Sequence, residues 1–513
     1  MVTQQTPSAS FGMNALRSRR SWLPIGIILA IATCLFTYRL GHEGVWIDEL
    51  FSIRDASAYD SPLEIYRASR LRPLYYILLS FWMRFGSSDI WLRSLSVIIS
   101  IVSVFLIYKL GKKLAGETEG LVAAALLMTS PLFINHTQEI RMYALSLCMC
   151  LAGSIFLAEA LLTQRTDKPS QKVLAGWAAF RLLAICTVPL NLTLLIPDAL
   201  LILLRFRREP KVLLSFTLWT IAIFVLWSPA IAPLLRDASP DSAYATERTE
   251  FSEPPGLGNL VYPLKFWMVW PFVTNLGTVA HKFYQLFTLV VAGLVGAGLI
   301  YKRRAAALPW ALLWFALPLI PIIAFSLSVA RIWEPRYVLF VSPYLFILIA
   351  AGITRLWKEW KTAGIVLTAV YVLGVGVALT HYYTIQNRAD VRANVETIEQ
   401  YEQPGDALVW SYGWGELTLD RYYDGTSDVY QQSGRDLETA ADVRAWIDEF
   451  PTDYERVWLA VEKMDFITKP MEGSDSTFED VINDNYEIAQ VFDDYAHDSA
   501  VFLLTPIKTA STN

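Results

Sequence analysis

Residues 92–111 read LRSLSVIISIVSVFLIYKLG, with no charge between Arg93 and Lys109. A helix of about 20 residues rises about 30 Å, the thickness of a bilayer's hydrocarbon core. The stretch is therefore a membrane span, and the chain repeats it. Comparable apolar runs lie at 22–40, 118–136, 140–162, 172–189, 190–206, 211–233, 278–300, 307–329, 337–356 and 362–384, which makes eleven expected spans. The block RPLYYILLSFWMRF at 72–85 is shorter and carries Arg72 and Arg84, so it reads as an interfacial helix.

Composition agrees with this reading. Of 513 residues, 54% are apolar and 18% charged, and the mean hydropathy is +0.36. Soluble domains carry about 25% charged residues, so a disordered, disulfide-stapled or ordinary soluble chain is excluded. The 18 Trp and 24 Tyr suit a protein with two water–lipid interfaces to line. The expected fold class is an α-helical polytopic membrane protein. Cys34, Cys148, Cys150 and Cys186 all fall within apolar runs and read as buried thiols without disulfide or metal roles.

Charge fixes the expected topology. Arg17, Arg19 and Arg20 precede the first run, which reads as a retained signal anchor after a cytoplasmic tail, residues 1–20. With that tail inside, the clusters Lys109/Lys112/Lys113, Arg165/Lys168/Lys172, Arg205/Arg207/Arg208/Lys211, Lys302/Arg303/Arg304 and Arg355/Lys358/Lys361 all face the cytoplasm. Counting 72–85 as a span would reverse them. The expected organisation is a membrane domain, 21–384, with extracytoplasmic loops at 41–91 and 234–277, in the plasma (inner) membrane. Residues 385–513 follow as an extracytoplasmic domain. Within 388–508 stand 27 Asp/Glu and 9 Lys/Arg, so this domain is acidic while the membrane domain is basic. Strand-like runs at 407–410 and 457–461 alternate with helix-like 389–402 and 436–450, which predicts a small α/β domain. The cationic residues sit in membrane-flanking loops, so no nucleic-acid partner is expected.

The chemistry-bearing residues gather at one expected face of the bilayer. Asp48 and Glu49 follow the first span; Arg72 opens the interfacial helix; Arg93 starts the second span. Gln138, Glu139, Arg141 and Tyr143 stand where the third span turns into the fourth, and Arg336-Tyr337 opens the tenth. Singly, each reads equally as an interface anchor or a solvated acid. Together, arginines at membrane depth suit a lipid-linked phosphate, and a nearby carboxylate suits deprotonation of a hydroxyl. That pairing implies sugar transfer from a polyprenyl phosphate to an acceptor on the outer side. The sequence has no Gly-rich nucleotide loop, and such a donor needs none. Arg181 and Asp198 lie inside apolar spans, and a hairpin about Pro189 would let them pair, as structure or as part of a site.

In order along the chain, WIDE at 46–49, RPLYY at 72–76, LRSLS at 92–96, QEIRMY at 138–143 and RYVLF at 336–340 resemble the GT-C membrane glycosyltransferases. Within these, the resemblance is to the bacterial ArnT-like and protein O-mannosyltransferase-like enzymes. It covers about residues 20–350, with a weaker match at Asp390-Val391-Arg392 and Gln403-Pro404-Gly405-Asp406. The resemblance implies that Asp48 and Glu49 supply the catalytic base or a metal-adjacent carboxylate. It implies that Arg93 and Arg336 contact the lipid phosphate, with Tyr337 beside them and Arg72 as a further contact or an anchor. Gln138, Glu139, Arg141 and Tyr143 form a second acidic or acceptor region. A divalent metal, if bound, would rely on Asp48, Glu49 and Glu139. The partners implied are a polyprenyl-phosphate sugar, a glycan, lipid or protein acceptor, and membrane lipids. The competing readings are a polytopic transporter or lipid flippase, and an anchored scaffold. The clustering of acids at one face, and not at the midplane, favours the enzyme over the transporter.

Overall fold

The computed structural model describes residues 9–507 apart from 164–167, most of 238–261, 269–276, 301–306, 386–390, 412–414, 433–438, 452, 463–476 and 495–498. The chain forms two compact units, residues 1–40 with 55–384 and residues 41–54 with 385–513.

The helices run α1 (Ala9–Thr37), α2 (Ile47–Ser57), α3 (Pro62–Ala68), α4 (Pro73–Met83), α5 (Asp89–Leu114), α6 (Glu117–Met128), α7 (Pro131–Thr137) and α8 (Tyr143–Leu162). They continue as α9 (Gln171–Ile185), α10 (Leu195–Phe206), α11 (Pro210–Trp227), α12 (Ile231–Asp237), α13 (Tyr262–Met268), α14 (Gly277–Ile300), α15 (Leu308–Ala316), α16 (Leu319–Ser328), α17 (Ser342–Glu359) and α18 (Lys361–Thr384). Every expected span falls on helix, and the protein is a multi-pass membrane protein. Among the described residues, seven helices are long and apolar enough to cross a membrane, and eight if the bent pair α6–α7 is one span. The difference from eleven has local causes. Residues 172–189 hold only the 15 residues of α9, with Lys172 and Arg181 in it. The helices α1 and α14 have 29 and 24 residues, but their side chains are described in full only over Trp22–Thr37 and Gln285–Ile300, stretches shorter than a full span. Much of the expected loop 234–277 lies outside the described residues. The expected loop 41–91 is not open chain; it folds into α2, α3 and α4.

The pairing of Arg181 with Asp198 is present and fully buried. Arg181 Nε donates to Asp198 Oδ2 at 2.7 Å and Nη2 to Oδ1 at 3.1 Å, while Trp177 and Trp314 each donate an indole N–H to the same carboxylate at 2.8 Å. The remaining guanidinium hydrogens reach the Cys150 carbonyl and Ser154 Oγ, both at 2.8 Å. A buried ion pair is tolerated when its other hydrogen-bonding positions are filled, and here α8, α9, α10 and α15 fill them. All four cysteines are free.

In the second unit, α19 (Val391–Tyr401), β1 (Ala407–Trp410), α20 (Gly415–Tyr422), β2 (Asp428–Gln431), α21 (Ala440–Ile447), β3 (Val457–Glu462), α22 (Phe478–Ile482), β4 (Tyr486–Asp494) and β5 (Ser499–Pro506) build one five-stranded sheet. The strand order is β2-β1-β3-β5-β4, with β1 parallel to β2 and β3, and β5 antiparallel to β3 and β4. Alternation along β1 and β3 sends Val409 and Leu459 toward α21 and α22, and Leu408 and Trp458 toward α19 and α20. The segment after α1 is stitched to this unit. Arg392 Nη2 donates to the Gly41 and His42 carbonyls at 3.2 and 2.9 Å, and Val45 N–H donates to Tyr422 Oη at 2.8 Å.

Candidate active site

The site in the first unit begins with a broken helix. The residue before a proline is driven out of the helical region, and Ser130, before Pro131, sits at φ −71°, ψ 116°. There α6 and α7 meet at a bend of 65°. The chain that follows carries Asn135, His136, Thr137, Gln138, Glu139 and Arg141, and all six are buried. Polar groups stay buried only with partners. Glu139 Oε2 stands 2.6 Å from His136 Nδ1, and its Oε1 accepts from Asn135 Nδ2 at 3.0 Å. Its backbone carbonyl accepts from Ser96 Oγ at 2.6 Å. One turn along α5, Ser100 Oγ accepts from Thr137 at 2.8 Å, so α5 holds the segment at two points.

Gln138 uses both ends of its amide at the exit of α1. Its Nε2 donates to the Phe36 and Tyr38 carbonyls at 3.1 and 2.8 Å, and its Oε1 accepts from Tyr382 Oη at 3.1 Å. Arg93 works at the same place: Nη1 donates to the Leu40 carbonyl at 3.0 Å. The last carbonyls of a helix have no partners within it, and these side chains supply them.

Aromatic rings connect the remaining residues. The His136 ring lies 4.5 Å from that of Tyr143, which lies 6.4 Å from Tyr337. The Arg141 guanidinium is 6.0 Å from the Tyr143 ring centre, and that of Arg336 is 5.3 Å from the Tyr337 ring centre. Arg72, at the start of α4, joins them. Burial works against its charge, the Tyr76 hydroxyl favours it, Arg141 opposes it, and Tyr337 and Tyr143 favour it; the balance holds its pKa above the usual arginine value. Arg72 thus lies within the electrostatic reach of Arg141, Tyr76, Tyr143 and Tyr337.

Asp48 and Glu49 belong to the second unit, in the first turn of α2. Glu49 is fully buried, and its Oε2 accepts from Trp46 N–H at 3.3 Å, the carboxylate half of a capping box. Asp48 is half-buried, and its carbonyl accepts from Ser52 Oγ at 3.1 Å. Among the described residues no three His, Cys, Asp or Glu side chains gather as a metal site. Glu139 already holds two donors, so no step is derived through a metal. Of this group the sequence singles out Glu139, and Asn135 carries no signal of its own. The spacing of Asn135, His136 and Glu139, at i, i+1 and i+4 across a helix end, is the signal that joins them.

Residues 72–232, which include α4 to α8 and this segment, match the model of the dolichyl-phosphate-mannose-protein mannosyltransferase family. Among solved structures, ArnT from Cupriavidus metallidurans bound to undecaprenyl phosphate is similar over 96% of this chain and 98% of its own, with a TM-score of 0.56 at 13% identity. Its apo form gives 0.55 at 13% identity, over 95% and 98%. The chain has the GT-C fold. The arabinofuranosyltransferase AftD from Mycobacteria is similar over 94% of this chain and 40% of its own, with a TM-score of 0.51 at 14% identity. No curated protein matches the chain in sequence. The GT-C fold here is the one that the ordered motifs from Trp46 to Phe340 imply.

Proposed function

We propose that the protein is a membrane glycosyltransferase that moves a sugar from a polyprenyl-phosphate donor to an acceptor on the extracytoplasmic side of the plasma membrane. The observation that carries this reading is the placement of the Arg141 and Arg336 guanidiniums 6.0 and 5.3 Å from the adjoining Tyr143 and Tyr337 rings, with Arg72 in their electrostatic reach and with Arg72, Arg141 and Tyr143 inside the segment that matches the mannosyltransferase model. Two guanidiniums beside phenol hydroxyls offer an anion both charge and directed hydrogen bonds. The ArnT structure with undecaprenyl phosphate adds that this fold accommodates such a lipid.

In the proposed reaction an acceptor hydroxyl attacks the anomeric carbon while the bond from that carbon to the phosphate oxygen breaks. The phosphate leaves as a monoester, its added negative charge held by Arg72 and Arg141, with Arg336 behind Tyr337. The acceptor's proton passes to a carboxylate, the role that the WIDE motif gives Asp48 in sequence. Glu49 is assigned the start of α2, because its carboxylate is buried against the Trp46 amide. Arg93 is assigned a positioning role at the exit of α1, on its bond to the Leu40 carbonyl.

The test is incubation of purified protein with undecaprenyl phosphates carrying different sugars, scored by release of undecaprenyl phosphate in mass spectrometry. Release is expected for at least one sugar, and Asp48→Asn is expected to slow it about a hundredfold, the contribution of a positioned general base. If no sugar-bearing lipid is cleaved in the presence of acceptor-containing membranes, the proposal fails.

A further inference from the structure

The His136–Asn135–Glu139 group has an unfilled valence. A carboxylate only accepts hydrogen bonds, so the hydrogen between His136 and Glu139 sits on Nδ1. Asn135 holds the other carboxylate oxygen and fixes the pair. The second ring nitrogen, Nε2, is buried and has no hydrogen-bond partner among the described residues; His136 as a whole is only 4% exposed. In the neutral ring with its hydrogen on Nδ1, Nε2 presents a lone pair. Burying such an atom without a partner is unfavourable, so the chemistry that completes the group is a hydroxyl or amine brought by a ligand.

Position narrows the ligand. The His136 ring and the Arg141 guanidinium both lie beside the Tyr143 ring, at 4.5 and 6.0 Å, and Arg72 is in electrostatic reach of the same residue. In a polyprenyl-phosphate sugar, one oxygen joins the phosphorus to the sugar ring. A group beside the same ring as a phosphate-binding arginine therefore stands at the sugar. The His136 and Tyr143 rings, 4.5 Å apart, also offer an aromatic wall for the C–H face of a pyranose or furanose. We infer that His136, held by Glu139 and Asn135, accepts a hydrogen bond from one hydroxyl of the donor sugar and sets donor specificity. This rests on reading the arginine cluster as the phosphate site. Glu139 and Asn135 act through His136 and are positioning residues.

The experiment measures binding to full-length protein in nanodiscs. The probes are undecaprenyl phosphate alone, the same lipid carrying mannose, glucose, galactose or arabinose, and the monodeoxy forms of whichever sugar binds most tightly. For the wild type, the sugar is expected to add affinity over the bare lipid, and one monodeoxy form is expected to bind roughly 10- to 100-fold more weakly than its parent. His136→Phe should lose the same factor for the parent and no longer distinguish that monodeoxy form, while binding bare undecaprenyl phosphate as the wild type does. His136→Gln, which restores an acceptor, should recover part of the discrimination. Glu139→Gln should weaken discrimination with bare-lipid affinity intact. If His136→Phe and His136→Gln still discriminate fully, or if both lose bare-lipid binding equally, the inference is overturned. If no sugar adds to the affinity of the bare lipid, the inference fails while the phosphate reading stands. If bare undecaprenyl phosphate does not bind the wild type, the phosphate reading fails and takes the inference with it.

Discussion

At the scale of single residues, the proposed site holds two kinds of group, those proposed to face a ligand and those that hold the backbone. Arg141 is flanked by Tyr143 and Arg72, whereas Arg93 and Gln138 reach carbonyls at the end of α1. The two kinds look alike in sequence, because each is a polar residue at the end of an apolar run. Arg141→Lys keeps the charge and loses the planar fork, so donor affinity should fall by about 1–3 kcal/mol while the thermal midpoint without donor stays put. A drop in the midpoint with unchanged affinity would assign Arg141 to the backbone group instead. The motif Gln138–Tyr143 was legible as a unit, but its internal division of labour was not. Which partner each side chain meets depends on the bend at Pro131, and that bend depends on a serine and a proline several residues upstream.

At the scale of elements, long apolar helices were legible and their interruptions were not. A hydropathy run cannot show that 118–136 breaks at Ser130, because the residues on both sides remain apolar. In the acidic domain, the expected helices at 389–402 and 436–450 correspond to α19 and α21, and β1 and β3 stand at the short apolar runs ALVW and VWLAV. Strand β2 went unseen because it is an edge strand of sequence DVYQ, mostly exposed, with no buried face to write a pattern. The pairing across α9 and α10 was legible because two opposite charges in apolar runs have few other options. Asp198→Asn would leave Arg181 buried without its counter-charge, at a cost of about 3–5 kcal/mol. The measurement is the denaturation midpoint in detergent, and an unchanged midpoint would mean that solvent reaches the network. Glu402, at the end of α19, makes a pH-dependent contact of the opposite kind. Burial pushes its pKa up, but hydrogen bonds from Ser427, Tyr423 and the Thr426 and Ser427 amides outweigh this and hold it below the usual 4.5. A lowered carboxylate pKa stabilises the folded state fully above the unfolded value, and the contribution drains away as pH falls through the folded one. Hydrogen exchange at the Thr426 and Ser427 amides should therefore accelerate below about pH 4.5, and Glu402→Gln should abolish that pH response. A Cβ at Gly425 would run into the Glu402 carboxylate, so Gly425→Ala should speed the same amides at every pH.

At the scale of the whole molecule, the acidic pair does not belong with the helices that flank it in sequence. Residues 41–54 fold with the C-terminal domain, bonded through Arg392 and Tyr422. This gives physical content to the Asp390-Val391-Arg392 motif: its arginine holds the chain just ahead of Asp48. Nothing in the first loop alone could have revealed a partner some 350 residues away. The charge clusters predict that both pieces lie on the outer side. In a cysteine-free background, Glu416→Cys should react with an impermeant maleimide added to intact cells, and Lys168→Cys should react only after permeabilisation. The reverse result would invert the topology and move Asp48 inside.

The packing of α17 has a consequence for how the protein is made. Almost every residue of this helix is buried, against α5, α6, α14, α15 and α18, so it is the axis around which earlier helices are arranged. Those helices carry groups that wait for it: Glu119 on α6 receives Thr354 at 2.9 Å and Lys358 at 3.7 Å, and Ser154 on α8 meets Tyr344 at 2.7 Å. At about 5–20 residues per second, a ribosome needs roughly 9–36 s to pass from the end of α8 to Ser342. Throughout that interval α5, α6 and α8 sit in lipid without their axis, each with a polar face that has no mate. A chain cut short before Ser342 leaves those polar groups without their mates, and it is expected to be cleared from cells faster than the full-length protein, as a pulse-chase comparison would show.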